Sequence, residues 1–149
     1  MNKRNIFAVL TILWTIIIWG HSMIPAQASS QESGVVVELL NKVAFFLHFP
    51  AGLTDHFIRK TAHFSEYAVL GFLVCGLRYW GKRTGVGITV FSCLMVALID
   101  ETIQLFVEGR SGQITDVWID FLGALCVILI YNLVRRANHE KKNSNSIRS

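Results

Sequence analysis

The chain has 149 residues, 52% of them hydrophobic and only 16% charged, whereas a soluble domain carries roughly a quarter charged residues. Its mean hydropathy is +0.46, which excludes an ordinary soluble domain and points to lipid as part of the surroundings. The net charge of +4 fits nucleic acid, acidic lipid or cytoplasmic loops, and the placement of the basic residues decides among them.

A helix needs about 20 mostly apolar residues to cross a bilayer core, and four stretches approach that: residues 6–23, 62–80, 86–107 and 117–134. The first, preceded by Lys3 and Arg4 and followed by Ala26-Gln27-Ala28, imitates a secretory signal with its cleavage site. Its length and its two tryptophans, Trp14 and Trp19, favour a retained anchor. The following segment is apolar over 35–49 except for Glu38, Asn41, Lys42 and His48, and the first three share a helical face. This predicts an interfacial amphipathic helix stopped by Pro50 and Gly52, with a strand or irregular cover as the bland alternative. The polar stretch 138–149 is expected to fray. Cys75, Cys93 and Cys126 lack metal-ligand spacing and are expected to be small buried apolar residues.

Ten of the 14 basic residues precede the first span, separate the second from the third, or follow the fourth. Lys42, Arg59, Lys60 and Arg110 fall on the other side, so the positive-inside rule puts both termini in the cytoplasm. The charge is therefore topogenic, and no motif points to nucleic acid. The expected fold is an all-α integral membrane four-helix bundle over residues 1–134, with a cytoplasmic tail at 135–149 and an interfacial helix in the first outer loop.

An acidic side chain in a spanning helix costs about 2.5–3.5 kcal/mol on insertion scales, so such residues are functional candidates. Here they gather in the outer half. His63 and Glu66 begin the second span, Asp100, Glu101 and Gln104 end the third, and Asp116 and Asp120 begin the fourth. The spacings of Arg59, His63 and Glu66, of Asp100 and Gln104, and of Asp116 and Asp120 each place a set on one helical face. Three such faces at one depth converge on a polar cavity open to the exterior, with Arg59, Lys60 and Arg110 at its rim. Glu101 is rotated about 100° from Asp100 and is expected to face elsewhere. The bland alternative is a polar network that only fixes helix packing. Gly71, Gly123 and Ala124 suit close helix approach, and Gly109 and Gly112 suit a tight turn around Arg110.

These residues resemble the VanZ-like family of small bacterial membrane proteins. Lys60-Thr61-Ala62-His63-Phe64-Ser65-Glu66-Tyr67 with Leu70-Gly71 looks like K-x-x-H-F-x-E-Y-x-x-L-G. Asp100-Glu101-Thr102-Ile103-Gln104-Leu105-Phe106, then Gly109-Arg110, Asp116, Asp120 and Gly123, look like D-E-x-x-Q-x-F-x-x-G-R and D-x-x-x-D-x-x-G. Val127 stands where another glycine is expected. The resemblance implies a multi-pass protein of the bacterial cytoplasmic membrane, related to a factor of resistance to teicoplanin, a lipid-bearing glycopeptide. It implies His63, Glu66, Asp100, Glu101, Gln104, Arg110, Asp116 and Asp120 as functional positions, but no established activity.

Three function classes remain open from the sequence. One is a non-enzymatic envelope factor whose outer site binds membrane lipid, a cell-wall precursor or the lipoglycopeptide. Another is a hydrolase or transferase acting on a lipid-linked or lipidic substrate at the outer leaflet. In that case His63, Glu66, Asp100, Asp116 and Asp120 are the acid–base candidates, and Lys60, Glu101, Gln104 and Arg110 bind the ligand. A divalent metal held by His63, Glu66 and the aspartates is compatible with this class. The third class, ion-coupled transport, lacks a complete pathway in one copy, because the polar residues occupy only one half of the spans.

Overall fold

The computed structural model describes residues 2–46, 54–81 and 85–148. Among these the secondary structure is helical, with no strand. The order is α1 (Lys3–Ser22), α2 (Ala26–Phe46), α3 (Asp55–Trp80), α4 (Val86–Gln104) and α5 (Ile114–Arg148).

Local chemistry explains where the helices start. Asn2 accepts from the Arg4 amide at the head of α1, and Thr54 accepts from the Phe57 amide at the head of α3, each satisfying a donor left over at a helix start. Hydroxyls within the helices donate to carbonyls one turn back, as Thr11 does to Phe7 and Ser92 to Ile88. In an apolar setting this removes polar groups that water cannot reach.

Among the described residues three segments are long and apolar enough to cross a membrane: Lys3–Ser22, Val86–Gln104 and Ile114–Asn138. They present large apolar side chains outward, among them Ile12, Leu13, Ile16 and Ile17 on α1, Phe91 on α4, and Ile130 and Leu133 on α5. The expected second span does not stand among them. Its helix, α3, carries Arg59, Lys60, His63, Glu66 and Arg78, which lower its hydropathy. Instead of facing outward all round, α3 packs against each of the other four helices, most extensively against α5. The core gathers around it: Tyr67, Leu70 and Cys75 meet Ile18 of α1, Ala97 of α4, and Ala124 and Ile128 of α5.

The approach of α3 to α5 is close enough to demand small residues. A Cβ on Gly123 would run into the Phe64 carbonyl oxygen, and one on Gly71 would stand 2.7 Å from the Ala124 carbonyl oxygen. The crossing is therefore made at Gly123 and Ala124, without a glycine at Val127.

Several boundaries differ from the sequence expectation. Helix α2 begins at Ala26, so the Ala26-Gln27-Ala28 pattern lies in its first turn. Expected positions 47–49, with Pro50 and Gly52, fall outside the described residues. On α2, Lys42 pairs with Glu38 at 2.6 Å, and this hydrogen bond and charge hold the exposed Glu38 carboxyl below its usual pKa. The fourth helix does not fray at 138 but continues to Arg148. Arg135, Arg136, Ala137, Glu140, Lys141 and Lys142 favour helix intrinsically, and no glycine or proline interrupts them. Cys75 and Cys93 are buried as expected, but Cys126 is exposed, because it projects from α5 away from the α3 contact.

Candidate functional site

The polar site is assembled at the ends of four helices. From α3 come the adjacent Arg59 and Lys60, then His63 and Glu66, each about one helical turn further on. Helix α4 contributes Asp100, Glu101 and Gln104 from its last turn, and α5 contributes Asp116 and Asp120 from its first two turns. Helix α1 adds His21 and Ser22 at its end. The chain between α4 and α5 folds back over this group through Gly109, whose φ of 72° lies in the left-handed region. Arg110 is thereby turned inward.

Arg110 ties that turn to the end of α1: its Nε donates to the Ile24 carbonyl at 2.9 Å and an Nη to the His21 carbonyl at 3.3 Å. Burial pulls the Arg110 pKa below its ordinary value, yet a guanidinium keeps its charge. Beside it, the Ala26 amide donates to the Glu108 carbonyl. Lys60 donates to Asp116 Oδ1 at 2.6 Å, joining α3 to the head of α5.

Glu101 does not face away. It is only 6% exposed, and its Oε2 accepts from the Gln113 amide at 2.8 Å while Oε1 accepts from Gln104 Nε2 at 3.1 Å. Its 100° offset from Asp100 directs it toward the returning α4–α5 connection. Glu66 is held by a residue the sequence did not single out. His21 Nδ1 lies 2.8 Å from Glu66 Oε1, a hydrogen bond between imidazole and carboxyl. The ring of His21 also stacks on that of His63, 6.1 Å between centroids and 8° from parallel.

His63 stands where the helices meet. Its Nδ1 is 3.8 Å from Asp120 Oδ1, 4.0 Å from Asp100 Oδ2 and 4.0 Å from Glu66 Oε2. These separations exceed hydrogen-bond length. Both oxygens of Asp100, both of Asp120, Oε2 of Glu66, Nδ1 of His63 and the Tyr67 hydroxyl are buried without a hydrogen-bond partner. Such groups are uncommon, since each costs about 1–3 kcal/mol when left unsatisfied and more when charged.

Above this cluster lies a pocket of about 110 Å³, lined by His56, Arg59, Lys60 and His63 of α3, Gln104 of α4, Arg110 of the turn, and Asp116 and Asp120 of α5. Cations stand at its rim and acids along its wall. A second, largely apolar hollow of about 230 Å³ adjoins it, lined by Val36 of α2 and by Ile58 and Ala62 of α3, and sharing Arg59 and His63 with the first.

The structure thus brings together His63, Glu66, Asp100 and Asp120, sets Glu101 and Gln104 behind them, and leaves Lys60, Asp116 and Arg110 at the rim. Sequence reasoning missed His21, Ser22, Tyr67 and Gln113. His21 carried a weak signal as a titratable residue closing an apolar run; Gln113, which acts through its backbone amide, carried none.

A family model described as VanZ/LLP1 matches residues 7–135. No curated protein and no solved structure matches the chain.

Proposed function

The chain belongs to the VanZ/LLP1 family, and from that premise we propose that it is a four-span envelope protein that lowers susceptibility to teicoplanin-type lipoglycopeptides by binding a lipid-bearing ligand. The observation that carries this reading is the junction of the two hollows. A basic-rimmed polar pocket opens beside an apolar one, and Arg59 and His63 border both. A head group with hydrogen-bonding and anionic edges suits the first, and an acyl chain suits the second. The polar pocket, at about 110 Å³, admits part of a glycopeptide or a precursor head group and not a whole antibiotic.

The orientation in this reading follows the basic residues. Lys3 lies 4.5 Å over the Trp80 ring and Arg135 lies 5.9 Å from the Tyr79 ring, so the two termini and the end of α3 share the basic end, opposite the site. The positive-inside rule makes that end cytoplasmic in a bacterial membrane and the site exterior. Helix α3 completes the fourth span by directing its polar side chains at its neighbours, as ionisable residues in membranes do.

The test is susceptibility of a Gram-positive host expressing the protein, or its Asp100→Asn variant, at matched membrane abundance. Protection against teicoplanin but not vancomycin, lost in the variant, is expected; equal susceptibility of all strains refutes the reading.

A second reading, a hydrolase or transferase acting on a lipid-linked substrate at the outer leaflet, draws on His63 standing within 4.0 Å of three carboxylates. An imidazole among carboxyl groups is suited to take and return a proton. Product formation by the purified protein separates this reading from binding alone.

A further inference from the structure

Asp100 and Asp120 are 0% and 1% exposed; neither oxygen of Asp120 accepts a hydrogen bond, and those of Asp100 lie outside full hydrogen-bond geometry, with Ser22 and Gln104 as their nearby polar side chains. Two basic side chains at the rim are engaged by other groups: Lys60 by Asp116, and Arg110 by the carbonyls of Ile24 and His21. Carboxylates buried in this way are usually paired or bound to metal. The third member of the cluster is an imidazole nitrogen, a donor when neutral. One ligand atom from each of His63, Asp100 and Asp120 lies within 4.8 Å of the others.

We propose that His63, Asp100 and Asp120 hold a divalent cation, with Glu66 as a fourth ligand. Bonds of about 2.0–2.2 Å to N and O ligands in tetrahedral geometry set neighbouring ligand atoms about 3.3–3.6 Å apart. The observed 3.8 and 4.0 Å from His63 Nδ1 to the two aspartates stand just outside that range, and the whole triad, within 4.8 Å, reaches it by side-chain rotations that draw the ligand atoms inward. Glu66 is already oriented for the task. His21 grips its Oε1 at 2.8 Å, leaving Oε2 turned toward His63 and unpartnered. Hydrogen bonding of a ligand's distal atom is the usual way such sites are aligned. The buried Tyr67 hydroxyl, one turn after His63 and also without a partner, suits a water molecule on the ion. One imidazole with several carboxylates and no thiolate favours Mn2+ or Zn2+ over a soft metal.

The inference rests on taking the cluster as a ligand site, but it is tested without reference to antibiotic susceptibility. The full chain, purified in detergent and stripped with chelator, is equilibrated with Mn2+ or with Zn2+, and bound metal is counted. One ion per chain is expected for at least one of them, with affinity falling more than tenfold in Asp100→Asn and Asp120→Asn and unchanged in Lys42→Gln on the exposed face of α2. Absence of stoichiometric binding of both ions overturns the proposal, as does equal binding by the aspartate variants. If those variants do not fold, Mn2+ on the unaltered protein decides by electron spin echo: coupling to an imidazole nitrogen supports the site, and its absence overturns it. Stoichiometric metal in a protein that leaves susceptibility unchanged removes the resistance reading and not the cation site.

Discussion

Glu101 shows how a side chain can be misplaced by sound helical geometry. Its rotation from Asp100 is real, but α4 ends at Gln104 and the chain returns across that rotated face, bringing the Gln113 amide within 2.8 Å of Oε2. A hydrogen bond contributes a net of roughly 0.5–1.5 kcal/mol, and here it fastens the connection that carries Arg110. We expect Glu101→Ala to lower the unfolding temperature of the detergent-solubilised protein, corresponding to about 1–3 kcal/mol, because the Gln113 amide is left without an acceptor. Glu101→Gln, which keeps an accepting oxygen, should retain most of that stability; an alanine variant as stable as the parent would contradict the role. His63, Glu66, Asp100 and Asp120 were legible because titratable groups are conspicuous in apolar runs and their spacing fixes a helical face. The grip of His21 on Glu66 and the backbone contribution of Gln113 were not, since both depend on which helix ends meet in space.

Helix pairing follows a similar division. The small residues at Gly71, Gly123 and Ala124 marked close approach in advance, and α3 does cross α5 there, with the Gly123 Cα facing the Phe64 carbonyl. The partner of each glycine was beyond the sequence. Val127, the departure from the family pattern, leaves the crossing intact because contact is made one turn earlier. We expect Gly123→Val to destabilise by at least about 1–3 kcal/mol, the usual cost of overpacking, since the obstacle is backbone and cannot swing aside. Gly87→Ala on α4 serves as the comparison: nothing lies within 4 Å of its Cβ position, and relief of glycine's chain entropy should leave stability equal or slightly higher. Thermal unfolding of the two variants in the same detergent makes the test, and equal losses would disprove the crossing. The extents of α2 and α5 were the least legible features. Polar helix formers such as those after Val134 look the same in a frayed tail and in a continuing helix.

Across the whole molecule, α1 is bound into the site despite its resemblance to a removable leader. Trp14 Nε1 donates to the Glu66 carbonyl at 2.9 Å, Arg110 holds the carbonyls of His21 and Ile24, and Ala26 to Ala28 lie within the first turn of α2. A peptidase needs an extended segment at its cleavage site, and this one is helical. The intact mass of protein purified from membranes is therefore expected to include the residues before Ala26; a species beginning at Ser29 would show the opposite. The dependence of α3 on its neighbours has a bearing on biosynthesis. The helix that supplies His63 is less apolar than the three membrane-length segments around it, and it leaves the ribosome after α1 but before α4 and α5. Glu66 meets a waiting partner in His21, whereas Asp120 arrives only with the final helix. A nascent chain thus holds its ionisable residues incomplete until the end of translation, and the site closes as the last act of assembly.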